Sequence, residues 1–134
     1  MTIRLAGWFL VGLLNAYCAG PIPIIFDTDS GTQIDDSLAL ALALQSPELD
    51  VRAVTTVTGD TECRGRLAWK DLGVYGRRDI PIAAGASETL VGPALTQRVP
   101  RQFEVLTAQD VLSVAARRRA GDLIIETVLA CPQR

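Results

Sequence analysis

The chain has 134 residues and a formal net charge of −2, and 49% of its residues are hydrophobic. This composition is typical of one globular domain and argues against a disordered tail. Binding to a nucleic-acid backbone depends on many Lys and Arg contacts, so the lack of a basic excess argues against a nucleic-acid partner. The chain has no histidine and its three cysteines are widely spaced, which argues against a structural zinc site.

Residues 1–20 have the layout of a secretory signal peptide. Arg4 precedes an apolar run from Leu5 to Leu14, and small residues follow up to Gly20. A membrane-spanning helix needs about 20 apolar residues, so this shorter run predicts an export signal and no stable membrane span. We expect a secreted or periplasmic protein whose domain occupies residues 21–134. A first helix of the fold, or a misplaced start, would give the same pattern, and the protein would then be cytoplasmic.

From Pro21 the chain alternates between predicted strands and helices. Ile22–Phe26 predicts a short strand, and an acidic loop with a glycine leads from it into a helix from Asp36 to Gln45. This helix carries Leu and Ala on every face, which predicts that it is buried all round. Pro47 ends it, because the residue before a proline is disfavoured in the helical region.

The same alternation continues along the middle of the chain. Val51–Val57 predicts a second strand, residues 62–75 a second helix, and Ile80–Ala84 a third strand. The expected core positions of the second helix are Leu67, Leu72, Val74 and Tyr75. Three strands that alternate with helices predict an α/β fold with a parallel sheet and right-handed crossovers.

The last third of the chain is less regular. Residues 87–103 contain Pro and Gly without clear periodicity and predict a long loop, which in a compact α/β domain is usually functional or mobile. Thr107 predicts the N-cap of a helix that runs to about Arg119, so that the arginines at 117–119 form a solvated helix end. A final helix is predicted from Gly121 to Ala130, with an apolar side formed by Leu123, Ile124, Val128 and Leu129.

Two cysteines, Cys63 and Cys131, remain after the predicted leader. In an oxidising compartment they could form one disulfide, but nothing in the sequence shows that they meet. The alternative is two ordinary buried thiols.

The acidic loop, residues 27–36, carries the chemistry. It has four carboxylates, at Asp27, Asp29, Asp35 and Asp36. After a parallel strand they lie where α/β folds place ligands. Carboxylates this close repel one another unless a cation neutralises them, and hard oxygen ligands select Ca²⁺ or Mg²⁺. The loop therefore predicts a divalent metal. The alternative is a surface turn whose acids cap a helix, which explains only Asp35 and Asp36.

The acidic loop resembles the N-terminal signature of the inosine-uridine preferring nucleoside hydrolases, an Asp-x-Asp-x-Gly loop followed by an Asp-Asp pair and an Ala/Leu-rich helix. Residues 53–60 resemble the second strand of that family with its following loop, and residues 80–85 resemble the third strand. Residues 122–127 resemble the helix before the fourth. The resemblance implies a parallel sheet of the Rossmann-like nucleoside hydrolase type, here incomplete with three strands.

The resemblance also implies a reaction, hydrolysis of the N-glycosidic bond of ribonucleosides to ribose and base, with a bound Ca²⁺ that holds the sugar and the attacking water. Asp29 would be a metal ligand and the general base, and Asp36 would be the second metal ligand. Asp35 would bind a ribose hydroxyl, and Asp60 is a substrate-binding candidate at a position where many members have Asn. Asp27 would support the loop. A nearby carboxylate can take the proton of a metal-activated water.

The chain also departs from the family pattern. Gln33 stands where relatives with the longer loop often carry another acid, and the remaining metal ligands of the family would lie beyond Arg134. Asp29 and Asp36 would supply only about three of the 6 to 8 oxygens that Ca²⁺ takes. These departures favour an alternative, a catalytically inactive truncated fragment of the family. They also predict a homo-oligomer or dependence on a missing C-terminal half.

A second alternative is a Mg²⁺-dependent phosphatase of the haloacid dehalogenase type. Such enzymes also carry an Asp-x-Asp motif at the end of a strand. Their motif continues with Thr, whereas Ser30 and Gly31 follow here.

Overall fold

The computed structural model describes residues 20–88, 91, 100–112 and 118–131, so residues 1–19 of the predicted leader lie outside the described residues. In chain order the elements are β1 (Ile22–Thr28), α1 (Asp35–Gln45), β2 (Leu49–Thr56), α2 (Thr61–Val74), β3 (Ile82–Ala84), a 3₁₀ helix (Arg101–Val105) and α3 (Ala120–Ala130). The predicted bounds of the three strands and of these three α-helices agree with the structure to within two residues.

The three strands form one parallel sheet in the order β1-β2-β3. Strand β1 pairs with β2 from Ile22 opposite Leu49 to Thr28 opposite Thr56. The much shorter β3 pairs only with the end of β2, and its last residue, Ala84, also lies opposite Thr56. The predicted α/β fold is therefore confirmed, and the carboxyl ends of all three strands meet at one edge of the sheet.

Helices pack on both faces of the sheet. Helices α1 and α2 cover one face, where the larger buried cluster includes Leu40, Val54 and Leu72. Helix α3 covers the other face, where Leu123 packs with small side chains of the sheet such as Ala83. Each fully buried Leu contributes about 1.5–3 kcal/mol through the hydrophobic effect. Two separate clusters therefore hold the helices to the sheet.

The prediction that α1 is buried all round is wrong. Leu40 is fully buried, but Leu38 is 62% exposed and Leu42 is 70% exposed. In the described part of the chain α1 packs against β2 and α2, which lie on one side of it. Only one stripe of the helix therefore meets the core.

Two of the four core positions predicted for α2 are also wrong. Leu67 and Leu72 are buried, whereas Val74 and Tyr75 are exposed. At 3.6 residues per turn, Val74 lies about 200° around the helix from Leu72 and faces away from the sheet. Tyr75 follows the last residue of the helix.

The apolar side predicted for α3 is buried only at Leu123. Ile124, Val128 and Leu129 are exposed. Leu123 and Ala120 lie three residues apart and therefore on the same face of the helix, and this face meets the sheet.

The helix predicted from Thr107 does not begin there. Residues 106–112 contain a turn and no helix, and residues 113–117 lie outside the described residues. The backbone N–H and the hydroxyl of Thr107 both donate to Asp110 Oδ2, at 2.7 and 2.9 Å. The side chain that was predicted to start a helix therefore closes a local turn.

The predicted role of the arginine run is wrong for its last two members. Arg118 and Arg119 precede α3, and Arg119 is its N-cap residue. They pair with Glu126 and Asp122 on that same helix. They therefore lie at the start of a helix, and the residues before them, 113–117, lie outside the described residues.

Cys63 and Cys131 are free and half-buried, so the disulfide alternative is not formed in this structure. Among the helices of the described ranges, none has the length and apolar character needed to cross a membrane.

Because the leucines of α1 are buried to different extents, their replacement by alanine should have unequal effects on stability. Leu40→Ala should lower the free energy of unfolding by about 2–5 kcal/mol, because it leaves a cavity in the larger core cluster. Leu42→Ala on the same helix should change it by less than about 0.5 kcal/mol. Urea denaturation of both variants measures the difference, and equal losses would contradict this packing of α1.

The turn at Asp110 predicts a specific acid sensitivity. Hydrogen bonds from Thr107, with the 2.9 Å contact to Lys70 Nζ, lower the pKa of the Asp110 carboxyl to about 2. In the unfolded chain this group titrates near 3.8, so the unfolded state binds more protons between the two values. Its contribution to stability is therefore present above pH 4 and is lost as the pH falls towards 2.

Asp110→Asn should remove this contribution. The variant should have a lower melting temperature than the parent at pH 7. The difference between the two melting temperatures should become smaller as the pH falls from 4 to 2. Thermal unfolding followed by circular dichroism measures both. Parallel pH profiles of the two proteins would contradict the assignment.

Candidate functional site

The acidic loop begins inside the sheet, because Asp27 and Thr28 are the last two residues of β1. The hydroxyl of Thr55 on β2 donates to Asp27 Oδ1 at 2.5 Å. This contact ties the start of the loop to the neighbouring strand. That Asp27 supports the loop stays a prediction, and its contact with Thr55 is the observation in favour of that role.

Thr28 organises the acidic loop through three hydrogen bonds. Its hydroxyl donates to Asp36 Oδ1 at 2.8 Å and accepts from the backbone N–H of Ser30 at 3.0 Å. Because the single proton of Thr28 goes to Asp36, the 2.7 Å contact between the two hydroxyls is donated by Ser30. Thr28 and Ser30 are buried, and together they orient Asp36 at the first turn of α1.

Three of the predicted site residues share a cavity at the carboxyl end of β1. The cavity has a volume of about 210 Å³ and is lined by Asp29, Thr32, Gln33, Asp35 and Asp36. Asp29 and Asp35 are exposed, and Asp36 is partly buried. The structure thus brings together the proposed base, both proposed metal ligands and the proposed ribose contact.

Asp60 lies after β2, as the sequence predicts, but outside the cavity that Asp29, Asp35 and Asp36 share. It is the N-cap residue of α2, and its Oδ1 accepts from the backbone N–H of Cys63 at 3.0 Å. Among the described residues it is not part of the cavity lining. Burial, followed by the hydrogen bond with Asp60, raises the pKa of the Cys63 thiol. The substrate-binding role of Asp60 stays a prediction.

The cavity offers oxygen atoms of three kinds, from carboxylates, a hydroxyl and an amide. Hard oxygen donors of this kind fit Ca²⁺ and Mg²⁺. In the described ranges, however, no three Asp, Glu or Cys side chains converge closely enough to hold a metal ion. The donor chemistry therefore fits a hard cation, while these side chains alone fill only part of its coordination shell.

Arg64 is a residue of this site that sequence reasoning missed. It lies in the first turns of α2 and is 6% exposed. Its guanidinium donates to the backbone carbonyls of Asp29, Ser30 and Thr58, and its N–H groups contact the Thr32 hydroxyl. The sequence signal for it was weak, because nothing in the sequence distinguishes Arg64 from Arg66 on the same helix.

The 3₁₀ helix also packs against the acidic loop. Gly31 has a φ of +116°, and a Cβ atom built on it would lie 2.6 Å from Phe103 Cε1. Gly31 is therefore required twice, for its backbone conformation and for the close approach of the phenyl ring. Most of the loop predicted over residues 87–103 lies outside the described residues, and Phe103 at its end contributes this contact.

A model of the family described as inosine-uridine preferring nucleoside hydrolase matches residues 24–132. The pyrimidine-specific ribonucleoside hydrolase RihA of Citrobacter koseri is 45% identical over 74 residues, which cover 52% of this chain and 22% of that protein. The probable uridine nucleosidase 2 of Arabidopsis thaliana is 47% identical over 70 residues, which cover 51% of this chain and 21% of that protein. The matched segment therefore spans about a fifth of the length of these relatives.

Solved structures show the same likeness. A plant nucleoside hydrolase, the PpNRh1 enzyme, superposes with a TM-score of 0.65 at 33% identity, and the match covers 84% of this chain and 37% of that chain. An inosine-guanosine nucleoside hydrolase superposes with a TM-score of 0.58 at 25% identity over 84% of this chain and 36% of that chain.

The contact between Gly31 and Phe103 predicts a large cost for a small substitution. Gly31→Ala adds a clash to a strained backbone and should destabilise the protein by about 2–4 kcal/mol. Gly76→Ala is the matched control, since Gly76 also has a positive φ, +68°, but no atom within 4 Å of the added Cβ. It should cost about 1 kcal/mol.

A double variant separates the two causes. Gly31→Ala should lower the free energy of unfolding less in a Phe103→Ala background than in the parent, because the clash with the ring is then absent. Urea denaturation of the parent, both single variants and the double variant measures this difference. If Gly31→Ala costs as much stability in the Phe103→Ala background as in the parent, the ring does not press on the loop.

Proposed function

Because the chain belongs to the inosine-uridine preferring nucleoside hydrolase family, we propose that it hydrolyses the N-glycosidic bond of ribonucleosides to ribose and a free base. The observation that carries the proposal is the single cavity shared by Asp29, Asp35 and Asp36. The curated relatives named above are ribonucleoside hydrolases and a probable uridine nucleosidase, which supports this substrate class.

The proposed cofactor is Ca²⁺, with Asp29 and Asp36 as its ligands from this chain. The hydrogen bond from Thr28 supports this role for Asp36, because it fixes the orientation of the carboxylate and leaves lone pairs on both oxygens for a cation. When bound, Ca²⁺ supplies a concentrated positive charge that orients sugar hydroxyls and lowers the pKa of water. Water and the substrate would complete its coordination shell.

The proposed chemistry of the side chains follows from where they lie. Asp29 accepts the proton of the attacking water, and its exposed carboxylate at the cavity supports that role. Asp35 accepts a hydrogen bond from a ribose hydroxyl. The sugar gains positive charge as its bond to the base breaks, and the surrounding carboxylates stabilise that charge.

The location and assembly of the protein are proposals as well. We propose an export signal in residues 1–20 and a hydrolase domain in residues 21–134, in a secreted or periplasmic protein. The partners proposed are the ribonucleoside substrate and a second copy of the chain.

A second candidate is a catalytically inactive member of the family. The observation that favours it is the lack of three converging acidic or thiol ligands among the described residues. The haloacid dehalogenase type of phosphatase finds no support, because the matching family is a different one.

Hydrolysis of inosine and uridine by the full chain in the presence of Ca²⁺ tests the proposal. Asp29→Ala should lower turnover by about 10²–10⁴-fold, the range expected for loss of a general base. Asp79→Ala is the control, because Asp79 lies in the turn before β3, at the opposite edge of the sheet, and should leave turnover unchanged.

The outcomes separate the candidates. Turnover that survives Asp29→Ala would contradict the proposed base. A folded protein that binds Ca²⁺ but hydrolyses neither nucleoside would favour the second candidate. Release of base from only one of the two substrates would define the base preference.

A further inference from the structure

Arg64 is a buried cation with an unusual set of partners. It is 6% exposed, and each oxygen that it contacts in the described part of the chain belongs to a neutral group, either a carbonyl or a hydroxyl. Burial of a charge without an opposite charge in contact is costly unless hydrogen bonds compensate it. The acidic loop above Arg64 carries four carboxylates, whose combined field also favours a positive charge there.

The guanidinium of Arg64 joins two segments at the carboxyl edge of the sheet. Nε donates to the carbonyl of Thr58 at 2.7 Å, in the turn that follows β2. Nη1 donates to the carbonyl of Ser30 at 2.7 Å and also to that of Asp29, both in the acidic loop after β1. Thr32 Oγ1 lies 3.3 Å from Nη1 and 3.4 Å from Nη2. One side chain therefore holds both segments together.

These contacts decide which way the acidic loop faces. The carbonyls of Asp29 and Ser30 are turned inward to Arg64, while the side chain of Asp29 is exposed and lines the cavity. The Asp36 carboxylate is held on the same side of the loop, because it accepts from the Thr28 hydroxyl, which in turn accepts from the Ser30 hydroxyl. If Arg64 were removed, inward carbonyls would be left without donors, and the loop would turn them towards water.

A lysine cannot replace these contacts. Arginine presents five N–H donors on a rigid plane, and here they reach acceptors in two different segments. A lysine has a single nitrogen on a flexible stem, so it would keep the charge but lose the fixed geometry.

We propose that Arg64 is a positioning residue for the acidic loop, which it holds so that Asp29 and Asp36 face one cavity before any ligand binds. This inference rests on the proposed function, since it assigns the geometry of the loop to binding of Ca²⁺ and ribose. Arg64 touches neither the cation nor the sugar in this assignment and acts through the backbone of the loop.

The test compares Arg64→Met and Arg64→Lys with the parent in the full chain. Ca²⁺ binding is measured by isothermal titration calorimetry, and amide hydrogen exchange of residues 28–34 is measured by mass spectrometry. Arg64→Met should weaken Ca²⁺ binding by about 10–100-fold, as loss of an outer contact does at metal sites, and should speed exchange in the loop. Arg64→Lys should recover only part of either property.

Arg66→Met is the matched control. Arg66 lies on the same helix and also donates to backbone carbonyls, but those of Thr107 and Asp110. It should speed exchange around residues 107–110 and leave both Ca²⁺ affinity and the acidic loop unchanged.

Each result decides the assignment. Parental Ca²⁺ affinity and parental exchange in folded Arg64→Met would overturn it. If Arg64→Met does not fold, Arg64→Lys decides, and full recovery of both properties by lysine would overturn the role of the fixed donor geometry. If the parent itself binds no Ca²⁺, the proposed function fails, and exchange alone then decides the role of Arg64. Faster loop exchange in Arg64→Met but not in Arg66→Met would still support it.

Discussion

The parallel pairing of β1 with β2 is the constraint on which the candidate site depends. Thr28 and Thr56 lie opposite each other, so the two strands end at the same level. The acidic loop and the turn before α2 therefore leave the sheet side by side. Only in this arrangement can a side chain of the second strand hold Asp27, and a side chain of α2 reach the backbone of the loop.

The parts of the structure that could be predicted from sequence are those with a local signal. Alternating apolar runs indicated the strands. An acidic run after the first strand indicated a ligand site, and two of its residues, Asp29 and Asp36, line one cavity. The interior contacts of that loop carry no such signal. Arg64 and Ser30 are 34 residues apart, and Thr28 appears in the sequence only as a hydroxyl between two acids.

The errors have physical causes of the same kind. Composition indicated that α1 could be buried on every face, but burial depends on which neighbours are present, and α1 contacts β2 and α2 on one side. Thr107 has the right side chain for a helix N-cap, but Asp110 Oδ2 accepts hydrogen bonds from both its backbone N–H and its hydroxyl. A local preference for one structure decides only where no other contact, local or tertiary, competes with it.

Because its partners are neutral, the contacts of Arg64 respond to ionic strength differently from the exposed ion pairs on the other face of the sheet. Contacts between a buried cation and carbonyl dipoles are short-ranged and lie out of reach of dissolved ions. The pair between Arg119 and Asp122 at the start of α3 is exposed, and dissolved salt weakens such surface pairs. Added salt would thus weaken the pair at the start of α3 more than the short contacts between Arg64 and the acidic loop.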